Sequence, residues 1–462
     1  MVSLANLDIF IIIFFFVIVL VIGIWFTRKQ QGSDEDFLLS GRKVGLVLFI
    51  LTNVSTWYGG ILGVGEFTYR YGIVSWFTQG FPYYIFAIIF ALFFAKKVRN
   101  ASLFTIPEKL YNHYGKTVSL IAAFLIFLLV SPAPYLLMIG ELIAMVFNLP
   151  LIYGLLIGVA LSVTYLYVGG YKADLVTDVF LFFVMFAGFG LILFVAVSRF
   201  GGFEFLQTNL PPGHLKLTGD TSPVFVIVWF LIALWTFTDP GFHQRCYAAK
   251  DGNVAVKGLL ISIFFWLLFD FLTTSTGLYT RAALGEISNP VLAFPILAEN
   301  ILGPGLKGIF YAALFATILS TLNSFLFLSA TTFSRDFIAR VSKRRNNTVW
   351  YTKLGLLLSS VISIILALSY QSVVELWYSI GSLCIPPLIF LIISSYYEKF
   401  SVEKKYALWE MILSLASGIA WMIIKPSIPE SSFLYEIEPM IVGIIVSLTI
   451  HLAGLRRSKL SS

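Results

Sequence analysis

Four hydroxyl side chains share one face of an apolar segment near residues 306–334. They follow the spacing i, i+3, i+4 and i+7, which places them above one another on an α-helix: Thr317, Ser320, Thr321 and Ser324. Hard cations such as sodium prefer oxygen ligands, so this face indicates a cation site. The alternative is that each hydroxyl bonds to its own helix or to a neighbour, as is common in membrane helices.

Ionisable residues inside apolar segments are costly and usually have a function or lie at a membrane boundary. Asp178, in the sixth such segment, is predicted to be a charged ligand of a second cation site. Asp239 stands beside a Pro–Gly pair, where it can cap a half-helix or pair with Arg245. No role can be assigned from the sequence to the other acids in or beside these segments, Glu66, Glu141, Asp270 and Glu375.

Two apolar segments contain helix-breaking residues in their middle. In the second, residues 53–60 read NVSTWYGG; in the seventh, residues 236–241 read TFTDPG, which ends in Asp239, Pro240 and Gly241. A lipid-facing break would leave backbone groups unpaired, so such breaks indicate space lined by protein or water. The two segments are five apart and enter the membrane from opposite sides, as expected of two inverted five-helix repeats with binding sites between them.

The elements that carry these residues are predicted to be membrane helices. The chain has 462 residues, 58% of them hydrophobic and only 12% charged, with a mean hydropathy of +0.90, which excludes a water-soluble protein. Apolar stretches of about 20 residues span a bilayer, and thirteen are predicted: 5–27, 44–69, 75–95, 117–147, 151–168, 174–198, 223–247, 254–280, 306–334, 350–370, 373–395, 406–424 and 436–454.

These helices are expected to form an all-α polytopic membrane protein. A leading helix (5–27) precedes a first repeat (44–198), an inverted second repeat (223–395) and two trailing helices (406–454). Alternation of the spans places 25 of the 31 Lys and Arg residues on one side, which predicts a plasma-membrane protein with the N-terminus outside and the C-terminus in the cytoplasm. The net charge of +7 is thus an orientation signal and does not indicate a nucleic-acid partner.

Together these features resemble the sodium/solute symporters, the family of the sodium/proline, sodium/galactose and sodium/sialic acid transporters. Five short matches occur in the expected order over nearly the whole chain: Ser40-Gly41-Arg42; Asn53-Val54-Ser55; Gly169-Gly170-Tyr171-Lys172-Ala173 leading to Thr177-Asp178; Gln244-Arg245 with Ala248-Ala249-Lys250; and Ser320-Thr321. The resemblance implies a LeuT-like inverted repeat over helices two to eleven.

The resemblance also implies sodium sites. The shared family site would use main-chain oxygens of Leu51, Val54 and Thr317 with the hydroxyls of Ser320 and Thr321. Members with a second sodium use residues that match Asp178, Asn323 and Ser324 in addition to those two hydroxyls. Asn323 replaces a hydroxyl found in those members, so the sequence leaves one or two sodium ions open.

Solute contacts in the family come from the two breaks and from the third helix. By position these would be Asn53, Ser55, Trp57, Tyr58, Gln79 and Trp235, the last matching an aromatic residue that gates the pocket. Asp239-Pro240 departs from the amide-containing break of the characterised sugar and proline carriers. No buried basic residue is expected near the middle of the membrane, although half-helix N-termini can bind a carboxylate.

The predicted function is sodium-coupled symport of a small polar solute into the cell by alternating access. Sugars, amino acids, vitamins and small carboxylates all remain open, and the expected partners are the solute, sodium and the bilayer, with no obligatory protein partner. A proton-coupled carrier on the same frame would use Asp178 or Asp239. A channel would need a continuous polar stripe or charged rings, and an enzyme would need a catalytic motif; neither is found.

Overall fold

A computed structural model describes residues 4–27, 33–338, 340, 347–369, 373–429 and 432–461. Within these ranges the regular secondary structure is helical, and the only strand-like contact is an isolated bridge between Val44 and Ala249. The helices of the first half are α1 (Asn6–Trp25), α2 (Asp34–Leu39), α3 (Leu46–Ser55), α4 (Ile61–Tyr71), α5 (Val74–Gln79), α6 (Phe81–Phe90), α7 (Lys96–Asn100), α8 (Ile106–Tyr114), α9 (Lys116–Leu129), α10 (Ala133–Phe147), α11 (Leu151–Phe200) and α12 (Phe203–Asn209).

The second half repeats the alternation of long apolar helices and short connecting ones. Its helices are α13 (Pro223–Ile232), α14 (Trp235–Thr238), α15 (Pro240–Ala248), α16 (Gly252–Leu284), α17 (Ala293–Ile301), α18 (Leu306–Thr331), α19 (Thr348–Ser369), α20 (Val373–Cys384), α21 (Pro386–Tyr396), α22 (Lys404–Ile424), α23 (Phe433–Glu436) and α24 (Pro439–Ser461). Short 3₁₀ and π turns join several of them, including a 3₁₀ turn at Thr56–Tyr58 that follows α3.

Ten helical segments and two sharply bent pairs in the described ranges are long and apolar enough to cross a membrane. The 50 residues of α11 would extend about 75 Å, more than twice the hydrocarbon thickness of about 30 Å. Gly170 interrupts α11 with φ 54° and ψ −142°, between the two spans predicted at 151–168 and 174–198. The all-helical membrane architecture is confirmed, and the total of thirteen crossings stays a prediction.

Both predicted breaks are present, and there is a third bend. Residues Leu46–Tyr58 and Ile61–Tyr71 form a pair bent by 58°. In the seventh span, α14 ends at Thr238 and α15 begins at Pro240, with Asp239 extended between them. A further bend of 51° separates Trp377–Cys384 from Pro386–Tyr396, where Pro386 cannot continue the hydrogen-bond ladder of the preceding helix.

The helix that bears the hydroxyl face lies at the centre of the molecule. Almost every residue of α18 is buried, and it packs against α11, α1, α10 and α19. A membrane helix that is covered on all sides contacts protein instead of lipid, so its polar residues need partners from other helices. The hydroxyls of α18 are therefore placed to join several elements.

Candidate functional site

Three of the four α18 hydroxyls bond to other elements of the protein. The bonds are Ser320 Oγ to Asp178 Oδ1 (2.5 Å), Thr321 Oγ1 to the carbonyl oxygen of Thr56 (2.6 Å) and Ser324 Oγ to Asp174 Oδ2 (2.6 Å). Only Thr317 bonds to its own helix alone, through the carbonyl oxygen of Leu314 at 2.7 Å. The hydroxyl face thus joins α11 and the first helix break.

Two aspartates on α11 face this hydroxyl ladder. Asp174 and Asp178 lie one helical turn apart and are both fully buried. Asp174 accepts from Ser324, and Asp178 accepts from Ser320. The two serines are also four residues apart, so an i, i+4 pair on α11 faces an i, i+4 pair on α18. Sequence reasoning missed Asp174, although its spacing from Asp178 is the signal that could have identified it.

Arg245 corrects the expectation that no basic residue is buried near the middle of the membrane. It lies on α15, is 4% exposed, and its Nη2 donates to Thr56 Oγ1 at 2.6 Å and to Ser324 Oγ at 3.4 Å. The break at Asp239 is the reason, because α15 begins there and all of its residues are buried. The positive charge therefore lies inside the protein, linked to the Asp178 cluster through Thr56, whose hydroxyl lies 3.1 Å from Asp178 Oδ2.

The structure brings together the elements that carry the predicted sodium ligands. Val54 and Thr317 are fully buried and Leu51 is half-buried, and the bond from Thr321 to the Thr56 carbonyl ties the end of α3 to α18. Gly59 makes this approach possible: a Cβ built there would lie 2.3 Å from Thr321 Cβ. The break and the hydroxyl face are therefore in direct contact.

The second predicted cation site contains unpartnered polar atoms. Both side-chain polar atoms of Asn323 and Oδ1 of Asp174 are buried without a hydrogen-bond partner among the described residues. Buried polar atoms without partners are rare in native proteins and point to a bound ion or water.

A cavity of about 170 Å³ lies between the two breaks. Its lining includes five of the six predicted solute contacts: Asn53, Trp57, Tyr58, Gln79 and Trp235. Ser55 does not line it, because this hydroxyl donates to the carbonyl oxygen of Thr52 at 3.2 Å and is fully buried. Asp270 of α16 does line the cavity, although no role could be assigned to it from the sequence.

Asp239 has the first of its two anticipated roles. Its Oδ1 accepts from the backbone N–H of Gly241 at 2.5 Å, which caps the first turn of α15. No ion pair joins Asp239 to Arg245 in the described part of the chain. Asp239 and Gly241 line the cavity, whereas Pro240 faces a small separate pocket.

A loop between α12 and α13 covers the end of α4. The backbone N–H of Ile73 donates to the His214 carbonyl at 2.8 Å, and His214 Nε2 lies 3.2 Å from the Tyr69 carbonyl. Burial lowers the pKa of His214, and the nearby charge of Arg281 adds to this, whereas the hydrogen bond to the Tyr69 carbonyl and the charge of Asp220 act in the opposite direction.

Comparison with known proteins identifies the family of the chain. Residues 37–414, well over half of the chain, match the model of the sodium:solute symporter family (SSF). The chain belongs to this family. It is 24% identical to sodium/proline symporter 2 of Staphylococcus saprophyticus (94% of this chain, 90% of the relative) and 28% identical to the sodium/glucose cotransporter of Vibrio parahaemolyticus (72% and 69%).

The fold is that of a solved sodium-coupled symporter. A sodium-coupled sialic acid symporter, in a substrate-bound outward-open state, matches with a TM-score of 0.84 at 16% identity and covers 99% of this chain and 98% of that one. The protein is a multi-pass membrane transporter of the sodium-coupled symporter class, and sodium is its coupling ion. The named solutes of these relatives differ from one another, so the solute must be inferred from the cavity itself.

Proposed function

We propose that this protein carries a small solute into the cell together with sodium, and that sodium binds where the end of α3 meets α18. The observation that supports this location most strongly is the bond from Thr321 Oγ1 to the Thr56 carbonyl at 2.6 Å. It ties a broken helix of one repeat to a continuous helix of the other. A cation bound at this contact would interact with both halves of the molecule, so its binding would affect both.

The proposed ligands are the main-chain oxygens of Leu51, Val54 and Thr317 with the hydroxyls of Ser320 and Thr321. A hydroxyl has one hydrogen to donate and two lone pairs to offer. Ser320 donates its hydrogen to Asp178 and Thr321 donates to Thr56, so both oxygens keep lone pairs for a cation. Asp178 would supply negative charge next to the ion without needing to touch it.

Charge balance favours one sodium ion in a cycle. The cluster contains two carboxylates, Asp174 and Asp178, and one guanidinium, Arg245. When all three are ionised the sum is −1, which a single sodium ion neutralises. A second ion would bind at Asp178, Asn323 and Ser324, where Asp174 Oδ1 and the Asn323 side chain lack partners.

Coupling follows from alternating access between the proposed repeats, 44–198 and 223–395. Sodium and solute bind the same conformation, so each raises the affinity for the other. One inward charge at 100 mV supplies about 2.3 kcal/mol, and a tenfold sodium gradient adds about 1.4 kcal/mol. One sodium ion therefore accumulates a neutral solute several hundredfold.

The proposed location is the plasma membrane, with the N-terminus outside and the C-terminus in the cytoplasm. The excess of basic residues on one side supports this orientation. Several of them hold that side together: Arg335 lies 3.8 Å from Asp34 and 3.7 Å from Glu108, and Arg42 pairs with Glu35 at 2.7 Å. The proposed function includes no catalytic activity and requires no protein partner.

Thermal unfolding of the purified protein tests sodium binding without knowledge of the solute. A ligand that binds only the folded state raises the melting temperature by mass action. We expect the midpoint to rise with sodium chloride above its value in equimolar potassium chloride. Identical midpoints in the two salts over the whole concentration range would contradict sodium binding at this site.

A further inference from the structure

A carboxylate without a countercharge lies in the wall of the cavity. Asp270 is 8% exposed, and its Oδ2 accepts a hydrogen bond from Tyr84. It approaches α5 and α6 closely, since a Cβ at Gly80 would lie 2.7 Å from this oxygen. Among the described residues no Lys, Arg or His forms an ion pair with Asp270.

The rest of the wall is unusually rich in tryptophan. Five of the ten tryptophans in the chain line this one cavity: Trp57, Trp76, Trp229, Trp235 and Trp377. Four tyrosines join them: Tyr58, Tyr83, Tyr135 and Tyr378. The faces of these rings carry negative potential and attract cations, with tryptophan the strongest of the aromatic side chains. Carboxylate and rings thus favour the same sign of charge in a ligand.

Hydrogen-bond donors lie elsewhere in the same cavity. Asn53 Nδ2 and Arg245 Nε are buried and lack partners among the described residues. The other end of the Arg245 guanidinium is occupied, because Nη2 donates to Thr56 Oγ1 and to Ser324 Oγ. These donors need an acceptor, which a solute oxygen would supply. A solute that satisfies the whole cavity therefore carries positive charge in one part and an oxygen acceptor in another.

We propose that the cavity binds a compact solute with a quaternary ammonium group, seated against Asp270 and the tryptophan wall. An acceptor oxygen of the solute meets Asn53. This inference rests on the proposed function only in taking the cavity as the solute site. Choline-like cations and betaine-like zwitterions share this chemistry. A neutral sugar would offer the buried Asp270 carboxyl no opposite charge.

Matched pairs of probes test the charge of the ligand directly. Binding of choline to the wild-type protein in sodium chloride would be compared with binding of its carbon isostere, 3,3-dimethyl-1-butanol. Glycine betaine would be compared with 3,3-dimethylbutanoate, and a rise in melting temperature reports binding in each case. We expect at least one nitrogen probe to bind at least about tenfold more tightly than its isostere; which pair responds separates a cation from a zwitterion.

Asp270→Asn tests the residue, because the amide keeps the shape and an acceptor for Tyr84 but loses the charge. The advantage of the nitrogen probe over its isostere should fall at least about tenfold in this variant. The advantage of the nitrogen probe should be unchanged in Glu141→Gln, which also replaces a carboxylate with an amide but lies on α10, outside the cavity lining.

Three results would overturn the inference: equal binding of a probe and its isostere, failure of both nitrogen probes to bind, or an unchanged ratio in Asp270→Asn. The comparison in the wild-type protein stands even if the variant does not fold. The sodium-induced shift without solute separates this inference from the proposed function. If the sodium-induced shift is lost but the selectivity for the nitrogen probe remains, sodium coupling alone is contradicted. If the shift remains but the selectivity is lost, the solute class alone is contradicted.

Discussion

At the scale of single residues, the centre of the molecule is a connected polar network. Asp178 accepts from Ser320 and from Thr56, and Thr56 in turn accepts from Arg245. Each helix that meets here contributes at least one group: α11 the carboxylate, α18 the hydroxyl, and α15 the guanidinium. A cation that changes one of these bonds changes the packing of all three helices.

Asp178→Asn should weaken sodium binding at least about tenfold, because it removes the negative charge beside the proposed ion and weakens the bond to Ser320. Sodium titration of the intrinsic tryptophan fluorescence measures this affinity. Glu410→Gln is the matched control, since Glu410 is a buried carboxylate that accepts from Ser447 at 3.0 Å in the trailing helices, away from this cluster. Equal sodium affinity in the Asp178 variant and the wild type would contradict the role given to Asp178.

At the scale of elements, two glycines let the first break fit against its neighbours. Gly59 lies against Thr321 of α18, and a Cβ at Gly60 would lie 2.2 Å from Trp377 at the start of the third bend. The first break, α18 and α20 therefore meet at Gly59 and Gly60, two residues without side chains. Tight contacts of this kind have few alternative packings, so the break can change only together with α18 and α20.

Gly59→Ala should disturb this contact, because its Cβ would lie 2.3 Å from Thr321 Cβ. Overpacking of this kind costs about 1–3 kcal/mol, and the sodium-dependent rise in melting temperature should shrink or vanish. Gly190→Ala is the control: it lies on α11 with no heavy atom within 4 Å of an added Cβ, so its sodium response should match the wild type. A normal sodium response in Gly59→Ala would show that the contact does not bear on sodium binding.

At the scale of the whole molecule, the proposed orientation places the loop between α12 and α13 outside and the turn between α21 and α22 inside. Lys216 and Lys399 are exposed representatives of the two, and the native Cys246 and Cys384 are both buried. In intact cells a membrane-impermeant maleimide should label Lys216→Cys but label Lys399→Cys only after permeabilisation. The reverse pattern would invert the topology.

Local patterns explain which parts of the site could be predicted from the sequence. The spacing of Thr317, Ser320, Thr321 and Ser324 and the breaks at residues 53–60 and 236–241 are visible within one or two helical turns. The bond of Asp174 to Ser324 and the approach of Asp270 to Gly80 are not, because each joins residues more than 100 positions apart. The sequence places Arg245 at the membrane boundary, because a charged residue near the end of an apolar segment ordinarily marks that boundary.

The most direct test of the central claim is the sodium affinity of the double variant Ser320→Ala with Thr321→Ala, measured by melting temperature in sodium against potassium. The matched control is Ser329→Ala with Thr331→Ala, which removes two buried hydroxyls of the same helix that bond to Ser359 and to the Phe327 carbonyl instead. We expect the first pair of substitutions to abolish the sodium-specific shift and the second pair to retain it. A full sodium shift in the first pair would show that sodium binds elsewhere.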